Sequence, residues 1–261
     1  MVEVEISRID VSTRKASRMM DFVAEEKPLH VFLGKTRYAT IFCSPTNLKE
    51  LAVGHLLSEG IVKSIEEIEE VNLRKEESLC SVKLKSNIGI EKRLKLLTSY
   101  SRVIFSACGS QPSYQFLGRL PKVESSLTID AKVILRCVNR LNSEAKIFRK
   151  TGGVHVAAIC SQRGELVTLA EDIGRHNAVD KAIGLGALKK VDFNLCFLAL
   201  SGRLTGDIVL KAARAGLPIV ASLAAAIDSG IAVARSTNLT LIGFIRGNRM
   251  NVYNLPDRIS I

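Results

Sequence analysis

The chain has 261 residues, 47% of them hydrophobic and 24% charged, a composition typical of a globular protein with a substantial core. Its formal net charge of +11 favours an anionic partner, although a solvated Lys/Glu-rich surface explains the charge as well. Nucleic acid is disfavoured as that partner, because the chain has no Trp, only 5% aromatic residues, and no basic cluster interleaved with Phe or Tyr for base stacking.

The first 122 residues are predicted to form a β-rich α+β domain. Their opening, MVEVEISRID, has no basic region followed by an apolar stretch, so no signal peptide is predicted. One helix is clear, TNLKELAVGHLLSEGI, which Thr46 or Asn47 is predicted to cap and Gly60 to end. The acidic segment IEEIEE is interpreted as a solvated connector. The predicted strands are VEVEISRI, PLHVFLG, RYATIFC, SLCSVKLK and RVIFSA.

Residues 123–261 are predicted to form a three-layer α/β/α domain with a largely parallel sheet, because helices and apolar strands alternate from about Leu127. The most apolar segment, LPIVASLAAAI, stops at Asp228, well short of a membrane span, so we expect a cytoplasmic protein without membrane contact. The predicted helices are DAKVILRCVNRLN, RHNAVDKAIGLGALKK, TGDIVLKAARAG and DSGIAVARSTN. The predicted strands are VHVAAIC, ELVTLAE, CFLALS, PIVASL and LTLIGFI.

Six cysteines lie far apart in the sequence without a CxxC pair, which predicts reduced thiols. Cys160 and Cys196 belong to apolar runs and are predicted core residues. Cys108 differs, because in FSACGSQP it is followed by Gly, Ser, Gln and Pro, which favour an exposed loop. An inert loop thiol explains this position equally well. No Cys/His group has the spacing of metal ligands, so we predict no bound zinc.

The junction EDIGRHNAVDK places Arg175 and His176 at a predicted helix start, where α/β sheets bind ligands. An imidazole titrates near neutral pH, so His176 is a candidate for anion binding or proton transfer. A simple helix cap by Asp172, followed by an exposed charged turn, explains the same residues without a function.

A second junction, LALSGRLTGDIVLKAARAG, ends an apolar strand in Ser201, Gly202 and Arg203. Glycine permits close backbone approach, and the free N–H groups of the following helix together with the Arg203 guanidinium form a reasonable phosphate site. The segment is not a P-loop, and the chain has neither a complete P-loop nor a complete dinucleotide-binding fingerprint.

Two further segments have glycine-rich or basic turns beside predicted strands. TGGVHVAA contains Thr151, Gly152, Gly153 and His155, with the two glycines opening a strand, a pattern that a β-turn alone explains. GFIRGNRMNVYN carries two arginines just beyond the last strand, an arrangement that fits a nucleotide clasp or a basic C-terminal turn. The residues of interest in this segment are Phe244, Ile245, Arg246, Gly247, Asn248 and Arg249.

Five segments together resemble the FdhD family of accessory sulfurtransferases, which formate dehydrogenase activity requires. The segments are ELAVGHLLSEGI, TGGVHVAA, EDIGRHNAVDKAIG, SGRLTGDIVLKAARAGLPI and LTLIGFIRGNRMNVYNLPDRI, and the resemblance runs from about Lys27 to Ile259. It implies a cytidine-deaminase-like fold without zinc for the larger domain, and a homodimer. It also implies two protein partners, a cysteine desulfurase and formate dehydrogenase.

The resemblance implies that Cys108 is the residue that the desulfurase loads with a persulfide. The sulfur then passes to the molybdenum cofactor, bis-molybdopterin guanine dinucleotide, before the cofactor is inserted into formate dehydrogenase. The family loop usually reads Cys-Gly-x-Cys-Gly, whereas this chain has Gln111 and Pro112 in place of the second Cys-Gly. A single thiolate still accepts and delivers a sulfane sulfur, because the persulfide is carried by one sulfur atom.

The strand-end segments are expected to gather on one rim of the sheet and to bind the guanine nucleotide end of the cofactor. The predicted cofactor-binding residues are Thr151, Gly152, Gly153, Arg175, His176, Ser201, Gly202, Arg203 and the run from Phe244 to Arg249.

Two alternatives belong to other functional classes. A zinc deaminase would share the fold, but it needs His-x-Glu and Pro-Cys-x-x-Cys where this chain has His176-Asn177-Ala178 and Ser201-Gly202-Arg203. A binding chaperone would hold the cofactor and dock on the enzyme without moving sulfur, which the absent second cysteine favours. Detection of a persulfide on Cys108 separates the carrier from the chaperone.

Overall fold

A computed structural model describes residues 1–86, residue 88 and residues 120–261 as a mixed α/β protein. Cys108 and the predicted strand RVIFSA lie outside the described residues. The strands are β1 (Val2–Asp10), β2 (Lys15–Val23), β3 (Lys27–Leu33), β4 (Thr36–Cys43), β5 (Ile68–Arg74), β6 (Leu79–Leu84), β7 (Ile129–Asp130), β8 (His155–Ser161), β9 (Leu166–Asp172), β10 (Cys196–Leu200), β11 (Ile219–Ser222), β12 (Thr240–Arg246), β13 (Arg249–Asn254) and β14 (Ile259–Ser260). The helices are α1 (Leu48–Ser58), α2 (Ala131–Glu144), α3 (Lys146–Thr151), α4 (Arg175–Leu188), α5 (Gly206–Arg214) and α6 (Asp228–Thr237).

The N-terminal part contains an antiparallel β1–β2 hairpin and a four-stranded sheet in the order β4-β3-β6-β5. The interpretation of IEEIEE as a connector is wrong for its last three residues, because β5 begins at Ile68. From Val71 onward partly buried and exposed residues alternate along β5, and an irregularity in the pairing between Ile68 and Glu70 leaves both Glu69 and Glu70 exposed. The helix α1 is close to the prediction, although Asn47 at its N-terminus makes no capping hydrogen bond with its side chain.

The central sheet has six strands in the order β13-β12-β11-β10-β8-β9 and is mixed rather than largely parallel. Only β10, β11 and β12 pair in parallel, whereas β8, β9 and β13 join the sheet antiparallel. The reason is the length of the connections. A short turn joins β8 to β9, and two residues join β12 to β13, and such connections form hairpins rather than parallel crossovers.

Helices cover both faces of this sheet, because its central strands bury side chains alternately in two directions. Val156 and Ala158 pack toward α2, in a core that also contains Leu141. Ala157 and Ile159 point the other way, into a core shared with α4 and α5. The prediction of helices on two sides of a sheet is therefore confirmed.

The N-terminal and C-terminal parts share the second of these cores, since α1 packs along α4. Two glycines permit this contact. A Cβ on Gly54 would lie 1.7 Å from the carbonyl oxygen of Asp180, and a Cβ on Gly184 would lie 1.9 Å from that of Glu50. Either methyl group would overlap the opposite backbone. The predicted division at residues 122 and 123 stays a prediction.

Candidate functional site

The predicted site segments meet at one edge of the central sheet. The strands β10 and β12 end there, at Leu200 and Arg246. Because β8 is antiparallel to β10, it begins at the same edge, and the N–H of Ser201 donates to the carbonyl oxygen of Val156 at 2.9 Å. The prediction that the site segments gather at one edge assumed a parallel sheet. The segment before β8 reaches this edge because β8 runs antiparallel to β10.

A cavity of about 580 Å³ opens at this edge. Its volume is that of a typical small-molecule site. Four of the predicted binding residues line it: Gly152, Gly153, Ser201 and Arg246. The other lining residues are Asn142, Phe148, Val154, His155, Ile173, Leu223 and Ala224.

Ser201 connects the sheet edge to His155 in the cavity wall. Its Oγ accepts a hydrogen bond from the backbone N–H of Val156 at 3.0 Å and lies 3.4 Å from Nδ1 of His155. Since the hydroxyl accepts from the backbone, its proton is available to Nδ1, which leaves the second ring nitrogen as the donor. Burial and the nearby charge of Arg175 lower the pKa of His155, so its imidazole is neutral at physiological pH.

Two basic residues, Arg175 and His176, lie near this corner of the cavity at the start of α4. Arg175 packs against Gly202, where a Cβ would approach the Cβ of Arg175 to 2.9 Å. Burial lowers the pKa of Arg175, and its Nε is buried without a hydrogen-bond partner among the described residues. His176 is hydrogen-bonded through Nε2 to Asp207 in the first turn of α5. Burial opposes ionisation of Asp207, but the bond to His176 holds the pKa of that carboxyl below its ordinary value.

The segment from Phe244 to Arg249 is a β-hairpin rather than a turn beyond the last strand, because Arg246 pairs with Arg249 across β12 and β13. Phe244 has a φ of 56°, in the left-handed region that costs an L-residue about 1–2 kcal/mol. This conformation carries its ring beneath both guanidinium groups. Cζ of Arg246 lies 4.4 Å, and Cζ of Arg249 5.8 Å, from the ring centroid. Both contacts fall within cation–π range.

Several predicted residues do not face the cavity. Ile245 is fully buried in the core on the α2 side of the sheet. Gly247 and Asn248 form the tip of the hairpin, where Gly247 has a φ of 57°. Thr151 uses its hydroxyl to donate to the carbonyl of Ile147 at the end of α3.

An ion pair that sequence reasoning missed supports the junction before α4. Nζ of Lys181 lies 2.6 Å from Oδ2 of Asp172, and both side chains are fully buried. The other oxygen of Asp172 accepts from the N–H of Gly174 at 2.9 Å and from Asn177 at 3.0 Å, while Oδ2 also accepts from the N–H of Ser44. Asp172 therefore fixes the loop and ties it to the end of β4, and it is not the N-cap of the helix.

Sequence reasoning also missed much of the cavity wall. His155 was noted in the TGGVHVAA segment but was not included among the predicted binding residues. Asn142 and Phe148 gave no signal, because they belong to helices that precede that segment.

Neither a metal centre nor a membrane span is found in the described part of the chain. No group of three or more His, Cys, Asp and Glu side chains within residues 1–86, 88 and 120–261 is arranged to hold a metal ion. None of the helices in those residues is both long enough and apolar enough to cross a bilayer.

These features define the class: an α/β protein with a cavity at the edge of a mixed sheet, where Arg246 is one of the lining residues. The sequence profile of the FdhD/NarQ family matches residues 24–260, and the chain belongs to this family. It is 36% identical to the sulfur carrier protein FdhD of Sulfolobus acidocaldarius over 260 residues, which are 99% of this chain and 98% of that protein. It is also 36% identical to the sulfur carrier protein FdhD of Saccharolobus solfataricus, over 98% of this chain and 99% of that protein.

A solved structure has the same fold. The crystal structure of a candidate formate dehydrogenase accessory protein from Desulfotalea psychrophila superimposes with a TM-score of 0.78 at 26% sequence identity. The superposition covers 99% of each chain.

Proposed function

We propose that the protein is a sulfur carrier required for formate dehydrogenase activity. Cys108 accepts sulfur from a cysteine desulfurase as a persulfide and passes it to bis-molybdopterin guanine dinucleotide before that cofactor enters the enzyme. Membership of the FdhD/NarQ family and the sulfur carriers among its relatives support the carrier role. The cavity, with Arg246 in its wall and Arg175 and Arg203 near His155, supports the cofactor-binding role.

The observation that carries this proposal is the burial of every cysteine in the described residues. None of these five side chains is more than 5% exposed, so none meets a donor protein without unfolding. Burial also raises the pKa of Cys43 and of Cys80 to about 11, whereas a thiolate is the attacking species. The buried cysteines are Cys43, Cys80, Cys137, Cys160 and Cys196. Cys108 is the remaining one of the six cysteines in the sequence and lies outside the described residues.

The loading step is a thiol–disulfide type of exchange. The Cys108 thiolate attacks the outer sulfur of the desulfurase persulfide, and a new S–S bond forms at Cys108. The S–S bond of the donor breaks at the same time, and the donor cysteine leaves as a thiolate with the bonding electron pair. No external oxidant or reductant is needed, and one cysteine is sufficient.

The cavity is the site we assign to the guanine nucleotide end of the cofactor. Arg246 supplies positive charge to its wall, and Arg175 and Arg203 lie close enough to His155 to lower the pKa of that imidazole. A diphosphate satisfies unpaired guanidinium groups through charge-assisted hydrogen bonds. Guanosine diphosphate (GDP) is therefore the probe for this site.

Mass spectrometry after incubation with a cysteine desulfurase and cysteine tests the carrier role. We expect one added sulfur atom on Cys108, removable by cyanide or by a reductant. Cys108→Ser is expected to abolish both this loading and the maturation of formate dehydrogenase while GDP binding persists. Cys196→Ala, which changes a buried cysteine, is the control and is expected to load normally. Full maturation by Cys108→Ser would refute sulfur transfer and favour the cofactor-binding chaperone.

A further inference from the structure

The short helix α3 (Lys146–Thr151) belongs to the cavity wall, and its own residues provide little to hold it there. Phe148 and the two glycines that follow the helix, Gly152 and Gly153, line the cavity. No residue of α3 is fully buried, and Ala145 at its N-cap has no side-chain acceptor for the free N–H groups of the first turn. A helix of six residues is too short to be stable by itself in water, so contacts with other elements fix its position.

A carboxylate from β9 supplies the missing acceptor. Oε1 of Glu171 accepts a hydrogen bond from the backbone N–H of Phe148 at 2.7 Å, and Oε2 accepts one from the backbone N–H of Ile147 at 3.1 Å. These are the second and third N–H groups of the helix, which an N-cap side chain ordinarily binds. Glu171 is buried and forms no ion pair within the described residues. The positive end of α3 is therefore the partner of its charge.

The strand period explains why Glu171 reaches α3. Glu171 lies directly opposite Val156, which belongs to the core on the α2 side of the sheet. The next residue, Asp172, points to the other face, where it pairs with Lys181 and fixes the loop before α4. Two consecutive carboxylates at the end of β9 thus support two different segments near the cavity. Glu171 itself does not line the cavity.

We propose, on the basis of the proposed function, that Glu171 is a positioning residue for ligand binding in the cavity. Its carboxylate holds α3 in place, so that Phe148 and the turn at Gly152 and Gly153 meet the ligand at a fixed distance. Without the carboxylate, two N–H groups of the first turn lose their acceptor and α3 moves relative to the strand ends. A binding site needs its contacting groups held to within about 0.5 Å, so this movement weakens binding.

The test measures ligand affinity and the protection of the α3 amides in the same full-length proteins. Calorimetry gives the GDP affinity of the wild type, Glu171→Ala and Glu171→Gln at a temperature where each is folded. We expect a loss of about tenfold in Glu171→Ala and about threefold in Glu171→Gln, which keeps one acceptor oxygen. Amide hydrogen exchange, followed by NMR, should become faster at Ile147 and Phe148 in the same order. Exchange at Ala182, buried within α4, should stay unchanged.

The matched control is Glu144→Gln, which removes the same charge at the last residue of α2, just before α3 begins. Glu144 is exposed and pairs with Arg140 instead of an N–H group of α3. We therefore expect wild-type GDP affinity and wild-type exchange in this variant. An equal loss of affinity in Glu144→Gln would assign the effect to overall charge and overturn the role of Glu171.

The remaining outcomes separate positioning from a structural role and from the function on which it rests. Lower stability of Glu171→Ala with wild-type GDP affinity would show a merely structural role. Lost affinity without faster exchange at Ile147 and Phe148 would contradict action through α3. If Glu171→Ala does not fold, Glu171→Gln, with nearly the same volume, decides by the same two measurements. Failure of the wild type to bind GDP removes the nucleotide site, and with it both the positioning role and the cofactor-binding part of the proposed function.

Discussion

The crossing of α1 and α4 and the rim of the cavity both concentrate charged side chains, but they differ in how those charges are satisfied. At the crossing, Asp180 accepts hydrogen bonds from Ser58 at 2.6 Å and from Nζ of Lys211 at 2.9 Å, and all three side chains are buried. At the rim, Arg203 and Arg246 have no ion-pair partner within the described part of the chain. The charges named at the crossing are therefore paired inside the protein, whereas these two arginines at the open edge are not.

The difference follows from the cost of moving charge out of water. A buried ion is tolerated only with an opposite charge and hydrogen bonds around it. The buried charges at the crossing are therefore paired by the protein itself and need no ligand. Like charges at the rim repel one another and are retained in the open cavity, where an anion relieves the repulsion. Substitutions at the crossing should therefore reduce stability, and substitutions at the rim should reduce ligand binding with little effect on stability.

The largest effect is expected from Gly54→Ala at the crossing. The added methyl group would lie 1.7 Å from the carbonyl oxygen of Asp180, so α1 and α4 must separate. We expect a loss of at least about 4 kcal/mol in the free energy of unfolding, measured by urea denaturation. Lys49→Ala on the same helix is the control, with a change within about 0.5 kcal/mol. Near-wild-type stability of Gly54→Ala would show that the two helices are not held in close contact.

Asp180→Ala is expected to cost about 3 kcal/mol, because it leaves the Lys211 ammonium buried with only Glu59 as a charged partner. The double variant Asp180→Ala/Lys211→Met removes both buried charges and should recover part of that loss in the same denaturation experiment. If the double variant loses more unfolding free energy than the two single variants lose when their losses are added, the pair does not act as a buried ion pair.

The pH dependence of stability offers a third test of the crossing. Burial raises the pKa of Asp180, but Lys211, His55 and Ser58 more than offset it, so the pKa lies below the ordinary value of 3.8. A carboxyl with a lowered pKa in the folded state stabilises the protein above the unfolded pKa, and this stability is lost as the pH falls through the folded pKa. We expect on the order of 2 kcal/mol to disappear below about pH 4. Asp180→Ala should show a shallower acid decline, and an equal decline would assign the effect to other carboxyls.

The contrast between the two regions also marks what the sequence could predict. The helices α4 and α5 and the strand β10 between them were predicted nearly to their ends, because apolar periodicity is a local signal. The burial of Lys181 and Lys211 was not predicted, since it depends on carboxylates that other elements bring to them. The strand-end residues of the cavity were predicted from their position after apolar strands. Asn142 was missed because only the tertiary fold brings α2 to that edge.

At the rim, Arg246→Ala is expected to weaken GDP binding about tenfold, the loss of one charge-assisted hydrogen bond of about 1–2 kcal/mol. Arg246 lines the cavity, and its guanidinium lies over the Phe244 ring without a carboxylate partner within the described residues. Isothermal titration calorimetry measures the affinity, and the urea midpoint should stay unchanged because no buried pair is broken. Unchanged GDP affinity would place the nucleotide elsewhere.

The smallest effect is expected from Arg249→Ala, which separates two arginines that the sequence alone could not distinguish. Arg249 is exposed on β13, does not line the cavity, and lies 5.8 Å from the Phe244 ring that Arg246 approaches to 4.4 Å. It acts on a bound diphosphate only through water, where a charge is screened within about one Debye length, so we expect a loss of about twofold that shrinks as salt is raised. The Arg246→Ala loss should be less dependent on salt, because it includes a direct hydrogen bond. If Arg249→Ala instead matches Arg246→Ala in size at every salt concentration, the hairpin closes over the ligand and both guanidinium groups contact it.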